Sequence, residues 1–438
     1  MFSTVLVANR AEIACRVLRT LRRLGVRSVA VFSEVDARAR HVREADAAEP
    51  IGDSPAPASY LNPAAIIEAA LRSGAEAVHP GYGFLSESPR FAAAVVDAGL
   101  AWIGPSPDVL ELTGDKAACR EAFARTGFPV LPGAGPFVEA GEALEAADGV
   151  GFPIMVKAVM GGGGIGMSVA RDHDELAKAV ETASTRGARF FADPAVLLER
   201  YVEGARHVEV QVLADDDRCL HLYERECSVQ RRHQKVVEET PSPALDDELR
   251  SRMCDAAVES MRTIGYRGAG TVECVVSPGG EFFLLEVNAR LQVEHPVTEL
   301  TLDGLDLVEQ QLLVASGSGM SLTEAPRRWS HAIECRVYAE DPRTFLPSPG
   351  TISRLQLPSD VRADFGYDEG DEVPMFYDPL IGKLVVHSDE RASAIEEMRH
   401  AVAGTTIEGL KTNLEVHVRI LEDERFTSGA YDTSLLGK

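Results

Sequence analysis

The chain lacks what a membrane, secreted or nucleic-acid-binding protein would need. In its 438 residues no apolar run approaches the ~18 needed to span a bilayer. The N-terminus, MFSTVLVANRAEIA, has no basic n-region or signal h-region and goes straight from strand to amphipathic helix. The seven cysteines include no CxxC pair, which argues against a zinc site and for reduced thiols in cytoplasm. Cys15, Cys119 and Cys274 lie among apolar neighbours and read as core fillers. Positive charge is short too: 44 Lys and Arg against 68 Asp and Glu leave a net charge of −24, which argues against nucleic acid as a partner. The first strand-to-helix turn, Asn9-Arg10-Ala11-Glu12, carries no glycine fingerprint of a dinucleotide site. There is no internal repeat and no low-complexity linker.

What is present is a soluble globular composition, 45% hydrophobic and 26% charged, long enough for two or three domains. Residues 1 to about 113 alternate short β-branched runs with helical patterns: strands at Thr4–Ala8, Ser28–Phe32, Ala77–His79 and Ala101–Ile103, and helices at Ala11–Leu24, Pro63–Ser73 and Phe91–Ala98. Such a βαβ series predicts a parallel sheet. The stretch HPGYGFLSE at 79–87 follows a strand and is dense in Gly, Pro and polar residues, the signature of a functional loop at the carboxyl edge of that sheet.

The segment Phe282–Val297, FFLLEVNARLQVEHPV, carries functional groups on alternating positions of an apolar strand. Glu286, Asn288 and Arg290 are spaced by two, so on a strand they share one face, with Val287 turned the other way. Upstream, Gly270–Val276 reads as a second strand, and the turn Ser277-Pro278-Gly279-Gly280 makes the two a hairpin that brings Glu273 close to Glu286. Two carboxylates and an amide oxygen are hard ligands of the kind Mg²⁺ prefers, with substrate phosphates completing the shell. The plainer alternative is a solvated face with cross-strand ion pairs.

Elsewhere, Gly114 opens a helix carrying Lys116, and the strand Pro153–Val159 carries Lys157. Gly161, Gly162, Gly163 and Gly164 lie between that strand and another at Met167–Ala170, with the next helix starting near Asp172. This predicts a flap whose backbone N–H groups close over phosphates, rather than a dinucleotide motif or a structural turn. Residues 196–212 give strand, turn and strand, with Glu199 and His207. The basic run Gln230-Arg231-Arg232-His233-Gln234-Lys235 follows a strand–turn pattern at Leu220–Cys227 and predicts an anion pocket at least as well as a solvated loop. Strand His331–Tyr338 carries Arg336, and a closing α/β portion follows.

Taken together these segments resemble the biotin carboxylase family, the ATP-grasp component of biotin-dependent carboxylases. The matching motifs are ANRAEIA at 8–14, HPGYGFLSE at 79–87, GDK at 114–116, GGGGIGM at 161–167, ERECSVQRRHQKVVEE at 224–239, EVNARLQVEHPVTE at 286–299, HAIECRVYAEDP at 331–342 and FLPSPG at 345–350. They run in family order across nearly the whole chain. The resemblance implies an α/β (α+β in part) ATP-grasp fold in three parts: an N-terminal Rossmann-like domain at 1–113, an ATP-grasp domain at 114–325 with a lid at about 131–203, and a C-terminal domain at 326–438.

Carried over by motif, Lys116 and Lys157 would bind ATP phosphates under the glycine flap, and Glu199 with the Val202 backbone would hold adenine. His207, Gln230 and His233 would surround ribose and phosphates. Glu273 and Glu286, with Asn288 beside them, would hold Mg²⁺ or Mn²⁺. Lys235, Arg290, Gln292 and the Val293 backbone would bind bicarbonate, Glu294 would deprotonate it, and Arg336 would meet the ureido oxygen of biotin. The implied reaction is the first half-reaction of an acyl-CoA carboxylase, carboxylation of biotin through carboxyphosphate. Its implied setting is the cytoplasm, and the implied assembly is a homodimer working with a biotin carboxyl carrier protein and carboxyltransferase subunits.

Ala11 stands where the family usually has glycine, Met160 and Ile165 alter the flap and remove a cation from it, and Tyr338 replaces a smaller polar residue near Arg336. No Met-Lys-Met biotinylation motif occurs, so biotin is expected on another polypeptide or on a longer form of this one. Two other readings share these residues: the same carboxyphosphate chemistry on a different nitrogen nucleophile, and a non-catalytic ATP-binding subunit. The intact Glu294, Arg290 and Arg336 speak against the second, since binding alone needs no base beside an anion pocket.

Overall fold

Alternating β-branched runs and amphipathic helices in the first hundred residues build a five-stranded parallel sheet in the order β3-β2-β1-β4-β5: β1 (Thr4–Val7), β2 (Arg27–Ser33), β3 (Ala47–Gly52), β4 (Ala77–His79) and β5 (Ala101–Trp102). The computed structural model describes residues 1–159, 167–191, 193–232, 234–302, 304–328 and 330–437. The helices at 11–24 and 63–73 fall where the periodicity places them. The second opens on Pro63 behind Asn62, whose side chain accepts from the Ala65 N–H, a cap with proline at the first helical position. Strand β3 was not anticipated, because AAEPIG contains a proline; it pairs only with β2, and an edge strand tolerates the missing N–H.

A four-stranded sheet follows: β6 (Gly133–Phe137), β7 (Ile154–Ala158), β8 (Ser168–Ala170) and β9 (Val196–Arg200), in the order β6-β9-β7-β8. The helices Ala140–Val150 and His173–Phe191 cover it around a separate core that includes Ala143, Ile154, Leu176, Val180 and Leu198.

The rest is organised on an eight-stranded antiparallel sheet. Its order is β14 (Phe282–Asn288), β13 (Gly268–Val276), β10 (Arg206–Ala214), β11 (Cys219–Arg231), β12 (Gln234–Thr240), β15 (His331–Tyr338), then the strands Leu380–Ser388 and Arg362–Phe365. On β10 the alternation HVEVQV sends Val208, Val210 and Val212 into a core shared with the helix Asp247–Thr263, and His207, Glu209 and Gln211 to the opposite face. The expected β13–β14 hairpin is present, with Glu273 opposite Glu286.

Two expectations need correcting. The stretch Leu220–Cys227 is no strand and turn but part of the unbroken strand Cys219–Arg231, and the basic run lies at the β11–β12 hairpin with Gln230 and Arg231 buried. Pairing on both edges stabilises a longer strand than local pattern predicts. In addition, β14 ends at Asn288, so Arg290 reaches the shared face from the bend beyond the strand.

Candidate active site

A cleft of about 500 Å³ opens where the three sheets meet. Asn9, Arg10, Ala11 and Glu12 line it from the end of β1, Lys157 from β7, and Glu273, Glu286, Lys235 and Arg336 from the eight-stranded sheet. Strand register places a charged row across that sheet: Glu286 faces Glu273, Glu273 faces Glu209, and Glu209 faces Arg225.

Lys235 ties the row to the next segment. Its Nζ donates to Glu209 Oε2 at 2.5 Å, Glu273 Oε1 at 2.7 Å and Glu294 Oε1 at 2.7 Å. Burial works against its charge, but the three carboxylates outweigh that and hold the ammonium pKa well above its usual value.

Glu273 is the most heavily bonded carboxylate in the cleft. Its Oε1 also accepts from Asn288 Nδ2 at 2.8 Å and Gln292 Nε2 at 2.9 Å, while His207 Nε2 stands 2.8 Å from Oε2. Burial would raise this carboxyl, yet Lys235 and His207 hold it well below the carboxylate range. Gln230 Nε2, 2.6 Å from His207 Nδ1, fixes the imidazole. Across the hairpin, burial and the charge of Glu273 push Glu286 up, with Lys116 and Lys157 as the offsetting cations. A like-charged pair of hard oxygen donors in register suits a divalent cation. Asn288 fits less simply, because its Oδ1 accepts from Arg290 Nη2 at 2.8 Å and reaches a metal only by releasing that guanidinium.

Arg290 is held on every side. Its Nε donates to Glu87 Oε2 at 2.8 Å and its Nη1 to Gln292 Oε1 at 2.8 Å. Glu87, at the end of the HPGYGFLSE loop, also accepts from the Ala289 N–H at 3.1 Å. The loop was predicted as functional; this buttressing role was not.

Glu294 is fully buried, behind Lys235 and Arg336 in the cleft wall. Its Oε2 accepts from Arg336 Nη2 at 2.9 Å. Burial acts to raise it, but Lys235, Arg336 and Arg225 hold it well below the usual range. The same Arg336 Nη2 lies 2.5 Å from Glu238 Oε1, whereas Arg336 Nε has no acceptor among the described residues. Val293 lines the cleft, and its carbonyl accepts from the buried Lys383.

Other expected residues stand slightly apart. Lys116 begins the helix Lys116–Arg125 behind the Asp115 cap and reaches the cleft. Lys157 pairs with Glu199 on the neighbouring strand β9, and neither Glu199 nor Val202 is part of the cleft lining. Gly161, Gly162, Gly163, Gly164 and His233 lie outside the described residues, as do Met160 and Ile165. Sequence reasoning missed Glu209, Arg225 and Glu238. The alternation HVEVQV could have flagged Glu209; nothing local points to the other two.

Comparison with known proteins matches residues 1–110 to the biotin carboxylase N-terminal domain, 115–323 to the carbamoyl-phosphate synthase L chain ATP-binding domain and 334–438 to the biotin carboxylase C-terminal domain. The chain belongs to the biotin carboxylase family. It is 46% identical to a biotin carboxylase of Halalkalibacterium halodurans over 100% of this chain and 97% of that one. It is also 46% identical to a pyruvate carboxylase subunit of Methanothermobacter thermautotrophicus, covering 99% and 89%. Among solved structures it resembles the biotin carboxylase domain dimer of Hydrogenobacter thermophilus 2-oxoglutarate carboxylase, in complex with MgADP, ADP and bicarbonate, at a TM-score of 0.97, 41% identity and coverage of 100% and 97%. Family membership makes this an ATP-dependent ligase with an ATP-grasp fold, as the sequence predicts.

Proposed function

We propose that this chain uses ATP and bicarbonate to carboxylate biotin borne on a carrier protein, the first half-reaction of an acyl-CoA carboxylase. The observation that carries the reading is the Lys235–Glu294–Arg336 array abutting the Glu273–Glu286 pair in one cleft. A base, an anion pocket and a metal-suited carboxylate pair in one cleft are the parts that activation of bicarbonate against a nucleotide phosphate requires. The relatives' names and the MgADP and bicarbonate held by the Hydrogenobacter domain support it.

In this reading Lys116 and Lys157 meet the ATP phosphates, Glu199 and Val202 hold adenine, and His207, Gln230 and His233 surround ribose and phosphates. Glu273 and Glu286 hold Mg²⁺ or Mn²⁺, which neutralises phosphate charge when bound. Bicarbonate enters beside Lys235, Arg290, Gln292 and the Val293 backbone. Glu294 is a weak base while Lys235 and Arg336 grip it. As Lys235 turns part of its charge to the incoming anion, that grip loosens and Glu294 can accept the bicarbonate proton. The oxygen so freed attacks the γ-phosphorus as the bond to the bridging oxygen breaks and ADP leaves, giving carboxyphosphate, which splits into CO₂ and phosphate; phosphate then takes the ureido proton of biotin, whose nitrogen bonds to the CO₂ to give carboxybiotin. Arg336, with an Nε lacking an acceptor among the described residues, stabilises the resulting enolate.

The domain limits at 113 and 325, a homodimer, and a carboxyltransferase that passes the carboxyl group to an acyl-CoA complete the proposal. A cytoplasmic setting is supported by seven free thiols, and no helix among the described residues is long and apolar enough to cross a membrane. The decisive experiment is ADP release from ATP as bicarbonate and free biotin are varied. Dependence on bicarbonate with stimulation by biotin is expected, and both should be lost in Glu294→Ala. ATP cleavage indifferent to bicarbonate would overturn the assignment.

A further inference from the structure

Behind the catalytic wall lies a second acid that the reaction as derived does not use. Glu238, on β12, is fully buried; its Oε1 is 2.5 Å from Arg336 Nη2, the nitrogen that also donates to Glu294 Oε2 at 2.9 Å. Two carboxylates thus share the charge of one guanidinium: Glu294 accepts its hydrogen bond, while Glu238 stands at ion-pair distance with neither oxygen hydrogen-bonded among the described residues. Across the sheet Glu238 faces Glu334 of β15, itself fully buried, and beside them Arg336 faces Lys383 of the next strand.

We propose that Glu238 is a positioning residue for the bicarbonate base, keeping Glu294 basic by drawing part of Arg336 away from it. The inference rests on the proposed carboxylation chemistry, in which Glu294 must accept a proton.

When Glu238 is ionised, Arg336 is shared and the negative charge of Glu238 also favours protonation of Glu294. When Glu238 is protonated, Arg336 belongs to Glu294 alone, and a carboxylate so tightly held is a poorer base. The surroundings let Glu238 change state in the working range. Burial is the largest influence and raises it, Arg336 lowers it, Glu294 raises it and Lys235 lowers it, leaving it at about 7. The other titratable groups near it are Cys227 on β11 and Cys335 on β15, both pushed well above their usual value by burial, Tyr338 on β15, raised by burial against Arg336, and Glu334, raised well above its own by burial against Lys383. The helix His295–Thr301, which packs against β12, contributes Glu294 itself as its N-terminal cap residue. The sign follows: Glu238 helps the base above neutral pH and ceases to help as pH falls through about 7.

The test is the pH profile of kcat and of KM for bicarbonate, for bicarbonate-dependent ATP cleavage by wild type, Glu238→Gln and Glu238→Asp from about pH 6 to about pH 9. Wild type should gain rate through an ionisation near 7. Glu238→Gln should lose that ionisation and run on the order of tenfold slower in kcat on the alkaline side, with KM little changed. Glu238→Asp should keep an ionisation at a displaced pH. A Glu238→Gln profile parallel to wild type, or an Asp variant whose ionisation does not move, overturns the inference. If Glu238→Gln does not fold, the Asp variant decides alone. Wild-type cleavage that ignores bicarbonate would instead overturn the functional reading beneath it.

Discussion

Glu286, proposed for the metal site, is a side chain whose place in the cleft bears on stability. It faces Glu273 across the hairpin, and burial and that neighbour raise its pKa. A carboxyl whose folded pKa lies above its unfolded value favours the fold at low pH and loses that contribution as pH rises through the folded value. At neutral pH without metal, Glu286→Gln should therefore leave the fold intact and raise Tm, by about 1–2 °C for a chain of this size. ATP turnover at saturating Mg²⁺ should fall on the order of 10²-fold or more. Thermal scans beside steady-state rates check both; a variant that keeps most of its rate would remove Glu286 from the metal site. Ala11 carries a smaller strain. Its φ of +52° lies in the left-handed region, where a Cβ costs about 1 kcal/mol. Ala11→Gly should be stabilising by up to about 1 kcal/mol in denaturant unfolding, with turnover unchanged.

At the scale of elements, the face of the eight-stranded sheet is a charged row whose members depend on one another. Arg225 is fully buried and donates to Glu209 Oε1 at 2.7 Å, Gln211 Oε1 at 2.6 Å and Thr298 Oγ1 at 3.0 Å. Arg225→Met removes one of the two cations that hold Glu209, leaving only Lys235, and should cost about 3–5 kcal/mol. Pairing it with Glu209→Gln should recover part of that loss, because the buried charge that Arg225 balanced is gone; strictly additive effects in denaturant unfolding would show the two do not interact. This scale also decides what the sequence could reveal. The β13–β14 hairpin follows from period-two alternation and a Ser-Pro-Gly-Gly turn, both local, and so do β1, the helix after it and β15; that Glu273 faces Glu286 rather than Leu285 comes from a bulge at Leu285 that the pattern does not show. Glu238 was invisible for the opposite reason. Its role comes from pairing β12 with β15, where Glu238 meets Glu334 and Arg336 comes within reach. Nothing in VVEET distinguishes that glutamate from its neighbour Glu239, which is bound instead to His331 and Arg391. The family motifs pick out the residues proposed to react; the charges around them are set by non-local register.

For the whole molecule, charge and core division suggest how nucleotide is taken in. The net charge is −24 and the chain has only seven lysines, yet Lys116, Lys157 and Lys235 all line the cleft, so a polyphosphate meets cations concentrated at one place. Lys157 belongs to the four-stranded sheet, whose core, with Ala143, Ile154, Leu176 and Leu198, is separate from the cores uniting the parallel and antiparallel sheets. A unit with its own core can open without exposing the others, and a ligand gripping both sides of the cleft opposes that opening. MgADP at a hundredfold excess over its Kd should then slow amide exchange in β7 and β9 on the order of 100-fold, the ratio that mass action sets when opening and binding exclude each other. Amides of β1 and β2 should change far less. Lys157→Ala should abolish the protection at the same MgADP concentration while leaving the β1 and β2 rates as they were. Equal slowing in both sheets would mean that they open as one body, and the four-stranded sheet would not be a lid.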